Sequence, residues 1–404
     1  MQRQSRRKAV VSAVAALALV SGTVVAVAAT NPDLEQIRAE IAAGLSADKD
    51  KAPKAAGYEV SVSDGETGVS PVEPVTVSPE GGRLRDVTLT NEEGREVKDE
   101  TAGDGTWRTA EPLGYGRSYS LKITDQEGET EKVSFTTVAP DYTAEPTIAI
   151  ADGSVVGGGQ AVPFSFDAVP GDHRAAEKAL SVTTDTGVEG AFYWISPTEV
   201  LWRAKEPLPA GTTVTAKADT YGKNFGGGIY GGDNVAATFE VGDSNYSVVD
   251  DATKTMTVYQ NGEELRTIPI SLGTDNSWRS TPNGTYVVGE KRESMVMDSE
   301  TFGLSLDDGG YRTPVKWATQ LSYSGIWVHG APWAQWALGN TNQSHGCINM
   351  TDADAQWFQS ISKRGDLVYV KNTTADQLPG SDGLGYWNIP WEQWKAGNAE
   401  QFDA

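Results

Sequence analysis

The chain has 404 residues, enough for about two to four domains, and is 38% hydrophobic with many Gly and Pro, the texture of short strands and turns. Its formal charge of −22 and lack of a basic stripe argue against a nucleic-acid partner, because phosphate recognition needs a positive footprint. Cys347 is the only cysteine, which excludes an intrachain disulfide.

Residues 1–8 carry Arg3, Arg6, Arg7 and Lys8, and residues 9–29 carry no charge. A basic stretch followed by an apolar one is the pattern of export. Ala26-Val27-Ala28 suits a signal peptidase, yet the apolar run is also long enough to span a bilayer about 30 Å thick. Residues 1–30 therefore read as a cleaved signal or a retained anchor, with the bulk of the chain outside the cytoplasmic membrane. No cysteine follows the run, so lipid attachment there is excluded. Residues 31–57 read as a linker holding a short helix.

Residues 58–140 read as an all-β module. Apolar and polar residues alternate over 58–63, 87–90, 118–123 and 132–138, and Glu93-Gly94 and Glu127-Gly128 mark turns. Trp107 is expected to fill the core of an immunoglobulin-like sandwich that lacks the usual disulfide. Residues 141–243 repeat the plan, with strands expected near 147–150, 162–166, 191–195, 198–203, 212–218 and 235–241. Phe135 and Phe239 are expected to point inward from the final strand of each module. The glycine-rich stretch 221–233 is not a phosphate loop, because no Lys-Ser/Thr follows it. It reads as a long flexible hairpin.

From 244 to 371 the texture is that of a third β-domain with one or two short helices. Asn261-Gly262 supplies a type I′ turn between two strands. Residues 290–314 are polar and glycine-bearing, long for a passive loop, and are expected to form a lid. Residues 326–329 read as a strand that ends on His329. A helix is expected over 352–363, capped by Thr351 or Asp352, stopped by Gly365, and carrying Ala353, Trp357 and Ile361 on one face. Residues 367–370 read as a closing strand. The tail, 372–404, holds Trp387, Trp391 and Trp394 without a core of its own, so it is expected to pack back on the preceding domains.

Ser344-His345-Gly346-Cys347-Ile348-Asn349 places the lone thiol beside a histidine, with His329 a short distance upstream. A cysteine nucleophile needs a base, donors for an oxyanion, and something that orients the base. His329 can be the base, the backbone around Gly346 can supply donors, and a backbone carbonyl can orient the imidazole in place of an acid. An isolated cysteine is also commonly a small buried apolar residue. Zinc needs about four ligands, whereas one Cys and two His are at hand and His173 lies in a sandwich.

The spacing of His329 from Ser344-His345-Gly346-Cys347-Ile348-Asn349, with 14 residues between His329 and Ser344, resembles the signature of the L,D-transpeptidases. Met297-Asp298-Ser299, Gly310-Tyr311-Arg312-Thr313, Trp317-Ala318-Thr319-Gln320, Tyr323-Ser324-Gly325, His329-Gly330-Ala331-Pro332-Trp333 and Leu384–Trp391 resemble the actinobacterial branch, which carries a membrane segment and two immunoglobulin-like domains. The resemblance covers about 57–398. It implies a peptidoglycan cross-linking acyltransferase that joins donor and acceptor stem peptides 3→3, with a thioester on Cys347 and release of D-Ala. It further implies His329 as proton acceptor, Gly330 as the carbonyl that orients it, and His345 as a neighbour of the thiol. Tyr311 and Gly346 are implied at the oxyanion, Ser324, Gly325 and Asn349 in substrate contact, and Met297 and Trp333 as pocket walls. No cofactor or metal is implied. Asn224 and Gly227 stand where some relatives carry calcium-holding carboxylates, so a metal site is not expected. Carbapenem-type beta-lactams are the implied inhibitors, and the membrane is met only through the N-terminal segment. An L,D-carboxypeptidase, in which water resolves the same thioester, and a non-catalytic wall-binding protein are the alternatives.

Overall fold

The computed structural model describes residues 57–80 and 83–403. The export segment expected at 1–30, and all but the last residue of the linker, lie outside the described residues. Among the described residues no helix is long and apolar enough to cross a membrane. The architecture is mainly β.

Two four-stranded sheets build the first sandwich. One takes the strands Tyr58–Val60, Thr76–Pro79, Trp107–Thr109 and Asp99–Thr101 in that spatial order; the other takes Glu66–Val69, Thr130–Thr137, Ser118–Thr124 and Asp86–Asn91. The alternation in Ser118–Thr124 buries Tyr119, Leu121 and Ile123. Trp107 and Val77 of the other sheet are buried as well, and Phe135 points inward as expected. The second sandwich sets Pro146–Ile148, Val162–Phe166, Glu199–Ala204 and Gly190–Ser196 against Val155–Val156, Val235–Val241, Thr213–Ala218 and Leu180–Thr184. Phe164, Trp194, Val214 and Phe239 fill its core. A short helix, His173–Lys178, which the sequence reading did not foresee, is capped by Asp172.

The glycine-rich stretch is not a free hairpin. Ile229–Gly231 pairs in parallel with Tyr142–Ala144, and Phe225 is fully buried in the second core. Its glycines let the backbone reach the first sandwich. Tyr115 Oη donates to Gly231 O (2.8 Å) and accepts from Gly222 N (2.6 Å), while Tyr221 Oη donates to Leu113 O (2.7 Å). The stretch is a joint between the sandwiches.

The third domain has two sheets. The first runs Glu263–Pro269, Thr255–Gln260, Asn245–Asp250, Leu367–Lys371 and Gly284–Val287. Asn261 and Gly262 both take positive φ, the requirement of the expected type I′ turn. The second runs Lys291–Asp298, Arg312–Gln320, Trp327–Gly330 and Ile348–Met350. The helix Asp352–Ile361 joins the two sheets in one core with Val249, Met256, Tyr286, Val328 and Ile348. Thr351 caps it by accepting from Asp354 N, but Ser362 rather than Gly365 ends it. Its buried face is Ala355, Phe358 and Gln359, with Trp357 and Ile361 only partly covered and Ala353 exposed. The buried face is thus centred one position on from the expected one, with Phe358 in the core and Trp357 at its edge.

The expected lid loop is mostly a β-hairpin. Lys291–Asp298 pairs with Arg312–Gln320, and only the tip between them is irregular. Met297 and Val315 turn inward from opposite strands and Arg312 pairs with Asp298 and Glu300, so the hairpin is packed and charge-fastened.

The tail packs on both neighbours. Trp394 and Tyr386 are buried with Ala161 and Leu201 of the second sandwich and Val287 and Leu367 of the third domain. Trp394 Nε1 donates to Ala191 O (2.8 Å) and Trp387 Nε1 to Gly159 O (2.8 Å). Arg203, buried, lies over Trp387 and Trp394 with its guanidinium carbon 4.6 and 4.5 Å from the ring centres. Gly157 and Gly159 make the closest approach: their N–H groups bond Arg364 O and Gly365 O, and a Cβ on either would overlap the chain at 365–367.

Candidate active site

Strand pairing brings the sequence-distant groups together. Trp327–Gly330 runs parallel to Ile348–Met350 with His329 beside Asn349. Cys347 precedes Asn349 by two residues, so along an extended chain its side chain projects to the same face. The thiol and the imidazole therefore share one side of the sheet.

The turn before Cys347 is held tightly. Gly346 has φ +124°, a conformation that suits glycine. Ser344 Oγ accepts from Gly346 N (3.0 Å) and donates to Cys347 O (2.6 Å), and Thr281 Oγ1 donates to Gly346 O (2.8 Å). Cys347 is buried, with Sγ 3.6 Å from Gly325 O. Burial pushes the thiol up to about 11, although a backbone hydrogen bond from Trp327 opposes the shift.

His329 Nδ1 lies 2.8 Å from Gly330 O. A carbonyl only accepts, so Nδ1 carries the hydrogen and Nε2 keeps its lone pair. Burial lowers the imidazole pKa, and the Gly330 bond and the charge of Asp352 work against that shift. Both groups are neutral near pH 7.

A cavity of about 170 Å³ opens on this face. Cys347, His329, His345, Tyr311, Asn349, Met297 and Trp333 line it. Asn349 Oδ1 is buried with no hydrogen-bonding partner. Tyr311 stays a phenol, its pKa raised by burial and by the nearby Cys347. His345 turns toward the tip of the hairpin: Nε2 lies 3.3 Å from Gly309 O and its ring 4.8 Å from that of Tyr311. Arg279 Nη2 donates to the same carbonyl (3.4 Å). Gly325 touches the thiol through its carbonyl. Ser324 is not in the lining; its Oγ meets Ser322 Oγ (3.1 Å) and its N–H donates to Asp382 (3.2 Å). Thr313, Val315, Gln343 and Ser344 also line the cavity. Thr313 and Val315 alternate with Arg312 and Pro314, a period-2 signal hidden by reading that stretch as a loop.

Among the described residues no group of three or more His, Cys, Asp and Glu is placed to hold a metal. His173 is buried between Asp403 and Pro197 O, at 2.9 Å from each.

A family model described as a bacterial Ig domain matches residues 66–224, and one described as the L,D-transpeptidase catalytic domain matches 244–370. The chain is 46% identical over 345 residues to L,D-transpeptidase 2 of Mycobacterium tuberculosis, covering 84% of each chain. It is 33% identical over 344 residues to L,D-transpeptidase 5 of the same organism, covering 82% of this chain and 74% of that one. A solved LD transpeptidase in complex with imipenem shares 32% identity at a TM-score of 0.50, covering 57% of this chain and 99% of that one. With the catalytic-domain match lying on the domain that holds Cys347 and His329, and nearly half of the aligned positions shared with a relative over 84% of each chain, this chain belongs to the L,D-transpeptidase family.

Proposed function

We propose that the protein forms 3→3 cross-links in peptidoglycan through a thioester on Cys347. The observation that carries the reading is the shared cavity of a buried neutral thiol and an imidazole whose free nitrogen is Nε2. The sulfur attacks the carbonyl between diaminopimelate and terminal D-Ala of a donor tetrapeptide stem, and its proton passes to His329 Nε2. Tyr311 Oη and the backbone at Gly346–Cys347 stabilise the oxyanion. The C–N bond breaks, D-Ala leaves with the proton from His329, and the thioester remains. The side-chain amine of diaminopimelate on a second stem then attacks. Its proton goes to His329, the C–S bond breaks, and the thiol is restored.

His345 holds the lid tip over this chemistry, and Met297 and Trp333 wall the stem. Carbapenems acylate the same sulfur, consistent with imipenem in a solved relative. The work is done outside the cytoplasmic membrane, with the sandwiches (58–140 and 141–243) as a spacer between the N-terminal segment and the catalytic domain (244–371).

The test feeds purified protein a disaccharide-tetrapeptide. Dimers with released D-Ala support the reading. Tripeptide alone assigns a carboxypeptidase, and neither product overturns both.

A further inference from the structure

The turn between Arg312–Gln320 and Trp327–Gly330 reaches the thiol at its far end, where Cys347 Sγ lies 3.6 Å from Gly325 O. A carbonyl only accepts, so the thiol hydrogen points to Gly325 at rest. Gly325 has φ +98°, and the direction of its carbonyl follows from that left-handed backbone. The base of the turn holds itself: Leu321 N and Ser322 N donate to Ile326 O (2.9 and 3.2 Å), and Ile326 N donates to Ser322 Oγ (2.8 Å). The tip does not. Its two N–H groups, on Tyr323 and Ser324, both donate to one carboxylate of the tail, Asp382, at 2.8 Å to Oδ1 and 3.2 Å to Oδ2. The next tail residue, Gly383, lies against the ring of Tyr323, which a Cβ there would overlap. The tail is itself fixed just beyond. Leu384 O accepts from Val287 N (3.0 Å), and Tyr386 Oη accepts from Ala161 N (3.0 Å) and donates to Gly159 O (2.9 Å).

We propose that Asp382, a residue of the tail, is a positioning residue for the nucleophile: by clamping Tyr323 and Ser324 it aims the Gly325 carbonyl at the sulfur and keeps the resting thiol protonated and in place. The proposal rests on the reading of Cys347 as nucleophile and adds what holds it. A carbonyl oxygen carries partial negative charge, so a hydrogen bond to it favours the thiol over the thiolate. It also fixes where the sulfur sits relative to His329, and a misplaced sulfur attacks slowly. Loss of the clamp therefore has two effects of opposite sign. The thiol becomes the stronger acid, and enzymatic acylation becomes slower.

The test uses the full chain and the variants Asp382→Ala and Asp382→Asn, with two readouts. Alkylation by iodoacetamide is followed from pH 7 to 10, and carbapenem adduct formation is followed by mass spectrometry at pH 7. In Asp382→Ala the alkylation profile is expected to move to lower pH by about one unit, the scale of one hydrogen bond, so that it bends toward its plateau by pH 10. Acylation is expected to fall about 10–100-fold. Asp382→Asn keeps the shape and one acceptor oxygen and is expected to fall between the parent and Asp382→Ala in both readouts. It carries the same comparison should Asp382→Ala not fold. Parent-like acylation with an unmoved profile overturns the proposal. So does alkylation raised by the same factor at every pH with a lowered melting temperature, because Asp382 then only holds the tail down. A parent profile already at its plateau at pH 7 overturns it too, since the hydrogen is then not on the sulfur. Failure of the parent to form any adduct is a different outcome, and it sinks the nucleophile assignment instead.

Discussion

The imidazole of His329 is oriented by the residue that follows it: Nδ1 is 2.8 Å from the carbonyl oxygen of Gly330. The orienting group is main chain, fixed by the pairing of Trp327–Gly330 with strands on both sides. No side-chain substitution can remove it, and the imidazole is tied directly to the sheet.

Replacing the base therefore tests the chemistry with little effect on its support. His329→Gln is expected to slow carbapenem acylation about 10²–10⁴-fold, the range for losing a positioned general base. Cys347→Ala is expected to give no adduct. Rates come from time-resolved mass spectrometry, with circular dichroism as the control for folding. An adduct persisting in Cys347→Ala rules out this sulfur as the nucleophile.

The resting charge state gives a pH prediction. A thiol raised to about 11 is almost wholly protonated at neutral pH. Alkylation by iodoacetamide is expected to rise about tenfold per pH unit from 7 to 10, following the thiolate fraction. A plateau reached near pH 6–7 would point to a preformed thiolate–imidazolium pair and contradict the neutral state. The raised pKa has a stability sign as well. The protonated thiol is favoured in the fold, so its contribution is complete below the unfolded cysteine pKa and fades as pH climbs through about 11.

Tyr311 contributes one oxygen to the cavity beside the sulfur. Tyr311→Phe removes that donor and keeps the ring that packs against His345. Acylation is expected to fall about 10²–10³-fold with an unchanged melting temperature. Acylation at the parent rate would assign the oxyanion to backbone donors alone.

Arg203 anchors the tail through stacked indoles and through Tyr386 O and Ile389 O (3.5 and 3.4 Å). Its pKa is lowered to about 10 by burial. Arg203→Ala is expected to cost about 2–4 kcal/mol, through lost packing and unpaired carbonyls. Arg203→Lys keeps the charge but not the flat stacking surface and is expected to recover only part of that. Urea unfolding, followed by the shift of tryptophan emission, measures both. A loss below about 0.5 kcal/mol for Arg203→Ala, the scale of ordinary surface substitutions, would mean the tail is held without it.

The sequence was most legible where a pattern is local. Period-2 runs located Ser118–Thr124, Val235–Val241 and Thr255–Gln260, and Asn261-Gly262 named its turn. It misled where tertiary packing decides. The strand Lys291–Asp298 reads as loop because it opens with four exposed polar residues, Lys291 to Ser294, and the residue between Met295 and Met297 is an exposed Val296, so no apolar–polar alternation shows. The glycine-rich stretch was read as flexible because a buried Phe225 and hydroxyls supplied by Tyr115 and Tyr221 leave no periodic mark. At the site, the motif singled out a thiol and an imidazole that line one cavity. Nothing in the spacing of Gly330 and Asp352 announces that one makes room for the other.

The tail has a mechanical consequence. The chain passes from the second sandwich to the third domain at 242–244, and after Lys371 it comes back, with Asn398 bonding both backbone groups of Trp194 and Asp403 bonding His173. Two bodies joined by one segment transmit tension and twist freely about it. Joined at two separated places, they also transmit torque, so the mouth of the catalytic cavity keeps its heading when the sandwich is turned.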